Sequence, residues 1–167
     1  LALDVNNQGV VVGRQSDESG ARTPLLWPHA ASVPIELPLP EGTAGGEACS
    51  VNDAGVVIGR AYNPQGGADL VAWKVYVANQ KGLPTASVRD TETILVEEPG
   101  MGGVYGSPEL VNSGFVGVTL YDAELASLRA VRLRLVWSDD AVWEVANSRT
   151  QLFDGYGTVN GINEAGM

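Results

Sequence analysis

The sequence predicts an all-β fold: a β-propeller-like array of four-stranded antiparallel blades, with about three blades and the first strand of a fourth. The first observation behind it is a unit that recurs. Val5-Asn6-Asn7-Gln8-Gly9-Val10-Val11-Val12-Gly13-Arg14 returns as Val51-Asn52-Asp53-Ala54-Gly55-Val56-Val57-Ile58-Gly59-Arg60. An altered copy is Val111-Asn112-Ser113-Gly114-Phe115-Val116-Gly117-Val118, and the unit restarts at Ile162-Asn163-Glu164-Ala165-Gly166-Met167. Its Asn residues, at 6, 52, 112 and 163, are 46, 60 and 51 residues apart, near the roughly 40 to 50 residues of a four-stranded propeller unit. The second observation is a tryptophan in step. Trp27 and Trp73 each follow their Asn by 21 residues, and Trp137 follows Asn112 by 25. The third is short apolar runs broken by Gly- and Pro-containing turns, with no sustained helical period.

Each unit reads as four strands. The first strands are Leu1 to Val5, Glu47 to Val51, Pro108 to Val111 and Thr158 to Ile162. Each ends in an Asn-x-x-Gly turn, one residue shorter in the third copy, where Asn bonds its own backbone two residues on and Gly accepts the left-handed conformation. The second strands are Val10 to Arg14, Val56 to Ala61 and Phe115 to Leu120; the third are Pro24 to Trp27, Leu70 to Val77 and Leu128 to Trp137. The fourth are Ser32 to Leu37, Thr91 to Glu97 and Ala141 to Ala146. Val10-Val11-Val12 and Val56-Val57-Ile58 are continuously apolar, which predicts cover on both faces. Val131, Leu133 and Leu135 alternate with Arg132 and Arg134, which predicts one wet face. Ala123 to Arg129 is the best short helical candidate. The units divide as blades 1–46, 47–106 and 107–156, with 157–167 starting a fourth, in one repeat domain read as a fragment of a longer protein.

The 167 residues, 44% hydrophobic, suffice for one domain with a sizeable core. No apolar run reaches the 18 residues of a membrane span, and the first residues do not resemble a signal peptide. A net charge of −10, from 20 acids against 10 bases, argues against a nucleic-acid partner. The one local basic cluster, Arg129, Arg132 and Arg134, lies among Glu124, Asp139 and Asp140. The single cysteine, Cys49, has no partner for an internal disulfide and reads as a small buried residue.

No constellation carries a catalytic, cofactor or metal assignment. Asp4 to Gly9 opens like a calcium loop, but its twelfth position is Gln15 and the second copy puts Ala54 at a ligand place. Ser50 to Gly55 fails the register of a sialidase-type Asp-box. His29 is the only histidine and reads as solvated. Glu97-Glu98, Asp139-Asp140 and Asp154 could supply a carboxylate pair, though Asp139-Asp140 more simply forms a hairpin turn. Trp27, Trp73 and Trp137 read as recurrent core residues. Trp143, outside that register, is the better candidate for surface binding. Insertions at Asn63 to Gly67, Asn79 to Thr85 and Pro99 to Ser107 mark variable loops, and the segment Pro99 to Gly106, with Met101 and Tyr105, is the candidate recognition loop.

The pattern of an apolar residue, Asn-x-x-Gly-x-Val-Val-Gly and a later apolar pair with Trp resembles the bacterial extracellular HAF repeats. The match holds at Val5 to Gly13 and Val51 to Gly59 and restarts at Ile162. It departs at the His-Ala-Phe signature, where this chain has Thr23-Pro24-Leu25, Asp69-Leu70-Val71 and Leu133-Arg134-Leu135. The resemblance implies a secreted or cell-surface bacterial protein of propeller-like fold and brings no catalytic residues. The expected function is a non-enzymatic binding or scaffold module with a protein or glycan ligand, no cofactor, and a possible homodimer closing the ring. The alternatives are a carbohydrate-active propeller, hydrolase or lyase, using loop carboxylates, and an intracellular protein-interaction propeller.

Overall fold

The computed structural model describes residues 1–80, 83–95, 101–122, 125–152 and 157–167. Its strands are β1 (Ala2–Val5), β2 (Val11–Ser16), β3 (Arg22–Trp27), β4 (Ile35–Glu36), β5 (Gly45–Val51), β6 (Val56–Tyr62) and β7 (Ala68–Gln80). They continue as β8 (Leu83–Leu95), β9 (Met101–Leu110), β10 (Phe115–Asp122), β11 (Ser127–Trp137), β12 (Val142–Glu144) and β13 (Thr150–Gln151). They form three antiparallel sheets in chain order, β1-β2-β3-β4, β5-β6-β7-β8 and β9-β10-β11-β12, with β13 added to β11. Among the described residues no helix is long and apolar enough to cross a membrane.

The sheets stack face to face, and the middle one is covered on both sides. Val57, Val71, Trp73 and Val75 join Val10, Val12, Leu26 and Leu37 of the first sheet in one core. Val56, Ile58, Leu70 and Ala72 join Val116, Val118, Leu133 and Leu135 of the third in another. The continuous apolar run of β6 therefore does what such a run requires. The same run in β2 does not: Val10 and Val12 are buried, but Val11 is only half-buried, because no sheet lies on that side. β11 behaves as its alternation predicts. Leu133 and Leu135 are buried, while Arg132 and Arg134 lie on the other face over the Phe115 ring, at 5.3 and 5.5 Å from its centre.

Several expectations are corrected. The third turn is not shorter. Val111 N–H donates to Phe115 O and Gly114 N–H to Val111 O, the bonds that Asn6 and Gly9, and Asn52 and Gly55, make in theirs. Val111 thus stands in the turn's first place and Asn112 in its second. That shift moves the tryptophan register. Trp27 lies across from Val11 and Trp73 across from Val57, but Leu133 lies across from the equivalent Val116. Trp137 is a different position, packed beside Gly114. Of the variable loop at 79–85, Asn79 and Gln80 lie in β7 and pair with Pro84 and Leu83 of β8, while Lys81 and Gly82 lie outside the described residues. Residues 101–107 are strand, paired to β10 through Tyr105 and Thr119, so the candidate recognition loop is not a loop there; Pro99 and Gly100 lie outside the described residues. Residues 127–129 of the helical candidate are strand, since Ser127 to Arg129 pair with Leu120 to Asp122. Thr158 to Ile162 forms no strand; Val159 N–H donates to Thr119 Oγ1 at 2.8 Å.

Candidate functional site

The turns organise one end of the molecule. In the first, second and fourth, the Asn side-chain oxygen accepts two backbone N–H groups, from Gln8 and Val10, Ala54 and Val56, and Ala165 and Met167. The closing Gly must take a positive φ, and Gly55, at +75°, also leaves room for Val75 O, which a Cβ would approach to 2.3 Å. The second residues then bond from turn to turn. Asn7 N–H donates to Asp53 Oδ1 at 2.9 Å, Asp53 N–H to Asn112 Oδ1 at 2.8 Å, and Asn112 N–H to Glu164 Oε1 at 3.1 Å. Hydrogen bonds from the Asn7 side chain and backbone hold the Asp53 carboxyl below its usual value, and those from Ser113 do the same for Glu164.

The first strands are tied as well, with the later strand donating to the earlier. Asp4 Oδ2 accepts Val51 N–H and the Ser50 hydroxyl, and Ser50 Oγ accepts Leu110 N–H. Asp4, which began the rejected calcium loop, is thereby a seam residue. No group of three or more His, Cys, Asp or Glu gathers at metal-ligand spacing among the described residues.

The strongest concentration of charge lies where β2, β3, β5 and β6 meet. Glu47 of β5 is 1% exposed, yet it faces three arginines. Its Oε1 accepts from Arg60 Nε at 3.0 Å and from Arg60 Nη2. Its Oε2 accepts from Arg14 Nη1 and, at 3.2 Å, from Arg22 Nη1. Arg22 Nη1 also donates to the Tyr62 hydroxyl at 2.8 Å, and Arg22 and Arg60 both lie over the Tyr62 ring, 5.6 and 5.5 Å from its centre. Burial pushes the Glu47 carboxyl up, but the hydrogen bonds and charges of Arg60 and Arg14 outweigh it and hold the group below its usual value. Two guanidiniums about 6 Å apart repel by about 3 kcal/mol at an effective dielectric of 20, so the carboxylate is what holds this cluster together.

Cys49 is buried beside it, and burial with the Glu47 charge pushes its thiol up to about 12. It is therefore an inert thiol at neutral pH. Next along the first strands is an open pocket of about 330 Å³ lined by Tyr105, Ser107, Glu109, Thr119 and Val159. Burial and the Asp4 charge raise the Glu109 carboxyl above its usual value.

The sequence-predicted binding residues do not converge. Tyr105 is 58% exposed on β9 and Trp143 is 45% exposed on β12. These are opposite edges of one sheet, three strand spacings or about 14 Å apart. The Met101 side chain lies outside the described residues, as do Glu97, Glu98 and Asp154. Asp139 and Asp140 form an exposed turn, with Ser138 N–H donating to Ala141 O. His29 is exposed, its Nδ1 accepting Ala31 N–H at 3.3 Å. The arginine cluster escaped sequence reading because Arg14, Arg22 and Arg60 come from three strands and only the fold assembles them. The one signal was Arg14 and Arg60 at matching places in two copies of the unit. Comparison with protein families, curated proteins and solved structures gave no match.

Proposed function

We propose that the chain is a non-enzymatic binding or scaffold module, built as a β-propeller-like array of HAF-type units and presented outside the cell or on its surface. The observation that carries this reading is where its polar groups go. Asp4, Asp53 and Glu164 bond to the next or preceding unit, and Glu47 lies in a cage of arginines. Their bonds hold sheet to sheet, and the Cys49 thiol stays protonated. The propeller arrangement is supported by the first strands lying side by side and by turns linked each to the next.

The test is incubation with a panel of plant and bacterial polysaccharides, read for bound ligand and for new reducing or unsaturated ends. Binding without product supports the module. Product formation that Glu109→Gln abolishes would overturn it in favour of a carbohydrate-active enzyme.

A further inference from the structure

Three guanidiniums face one carboxylate at the seam of the first two sheets, leaving two positive charges in a chain whose net charge is −10. Arg60 alone gives Glu47 two hydrogen bonds and its neutralising charge. Arg14 and Arg22 are more than neutrality requires. Nor does the architecture require them. The place of Arg14 and Arg60 is taken in the third sheet by Thr119, which joins the next segment through an uncharged bond to Val159 N–H. The place of Arg22, across from Ser16, is taken in the second sheet by Ala68, across from Tyr62.

Arg14 and Arg22 are held on the same oxygen, Glu47 Oε2, each through its Nη1. Hydrogen bonds to one atom keep the two guanidiniums within about 6 Å of each other. Among the described residues the guanidinium N–H groups of Arg14 and Arg22 that are not engaged by Glu47 or the Tyr62 hydroxyl meet no protein acceptor, and the two side chains are 22% and 35% exposed. A guanidinium carries five donors in a fixed fork that matches oxyanion geometry. The result is a pair of prepositioned forks open to solvent, backed by a ring, Tyr62, that fixes Arg22 in orientation.

We propose that Arg14 and Arg22, organised by Glu47, bind a tetrahedral dianion, a sulfate or phosphate group, either free or as an ester on a larger ligand. The surplus of two charges matches the dianion. This rests on the binding-module reading above and gives it a ligand chemistry.

The test is titration of the full chain with sodium sulfate, sodium phosphate and a sulfated oligosaccharide, against sodium chloride at matched ionic strength. Arginine Nε–H signals in ¹⁵N NMR and calorimetry supply the readouts. Saturable shifts confined to Arg14 and Arg22 are expected. Arg14→Gln and Arg22→Gln should weaken binding at least tenfold, and Arg22→Lys, which keeps the charge but not the fork, should weaken it severalfold. Arg89→Gln, which removes a distant arginine stacked on Tyr76, should change nothing. Tighter binding of the oligosaccharide than of inorganic sulfate assigns the ester as ligand, and equal binding assigns the free ion; both support the site. No saturation beyond chloride, or unchanged binding in the glutamine variants, overturns it. If those variants do not fold, the wild-type arginine shifts decide alone. Cleavage of the oligosaccharide would defeat the non-enzymatic reading and leave the site standing. Glycan binding with unmoved arginine signals would do the reverse.

Discussion

Val11 and Val57 occupy the same place in successive sheets, each across from a tryptophan, and differ in what covers them. Val57 is fully buried in the core between the first two sheets, while Val11 faces outward from the first sheet and is half-buried. Truncating either to Ala removes two methyl-sized groups, worth about 1.6 kcal/mol of transfer free energy when fully buried. At Val57 a cavity of roughly 50 Å³ adds about 1.2 kcal/mol, giving about 3 kcal/mol in all. At Val11 half the transfer term and no cavity remain, about 0.8 kcal/mol. Urea unfolding followed by tryptophan fluorescence, with matched slopes, should show this difference of about 2 kcal/mol in the midpoints. Equal losses at the two sites, at any protein concentration, would refute the one-sided burial of the first sheet. A Val11→Ala loss that grows with protein concentration would mean a second copy covers that face.

Gly59→Ala places a Cβ 2.0 Å from Glu47 O and 3.0 Å from the Ala48 Cα, both backbone, and should cost about 3 kcal/mol or more in thermal unfolding. Gly20→Ala meets nothing within 4 Å but sits at φ +86°, so only left-handed strain of about 1–2 kcal/mol should appear. Glu47→Gln leaves three arginines without a carboxylate and should cost about 3 kcal/mol at pH 7, measured by urea denaturation. Because the folded Glu47 carboxyl lies below its unfolded value, its stabilisation is complete above the ordinary carboxylate pKa of about 4.3. It is lost as pH falls through the folded value, so the gap between wild type and Glu47→Gln should close in acid. Cys49, with its thiol pushed up to about 12, should resist iodoacetamide at pH 8 in the native protein and react in denaturant, read by mass spectrometry.

The all-β character was legible because the turns are local. Asn6, Asn52 and Asn163 cap their own backbone, so four residues suffice to find each turn. The same chemistry closes two hairpins at the other end, which sequence comparison passed over. Asp17 accepts Ser19 and Ala21 N–H, and Asn63 accepts Gly67 N–H. The third unit misled because Asn112 looks like the capping Asn but stands one place later, where it bonds to a neighbouring turn instead of its own backbone. What was not legible is what depends on neighbouring sheets. Val11 and Val57 sit in closely similar local sequence, and the presence of a sheet on one side separates their burial. Trp143 and Tyr105, the two binding candidates whose side chains are described, are both exposed. Their separation depends on the order of strands in the sheet, which no local pattern reports.

The third turn also shows which bonds the arrangement depends on. Val111 lacks the side-chain oxygen that caps the other turns, yet the backbone closes identically and Asn112 and Ser113 still take up both oxygens of Glu164. The cap is therefore dispensable where the neighbouring turn supplies a partner. The turns are bonded each to the next, Asn7 to Asp53, Asp53 to Asn112 and Asn112 to Glu164, and apolar cover of each second strand's middle residue comes from the sheet before it, as Val57 and Val116 show. The middle unit is joined to each neighbour by both polar bonds and an apolar core of its own, so damage to one seam should stay with the two sheets that share it. At the forward end, where no complete sheet follows, Phe115 is covered by Arg132, Arg134 and the close approach of Gly166, whose added Cβ would stand 2.8 Å from the ring. At the rear end nothing equivalent covers Val11 and Trp27 among the described residues. Val11 and Trp27 thus stay half-buried on the outer face of the first sheet, and any surface that covers them would stabilise that sheet by burying apolar area.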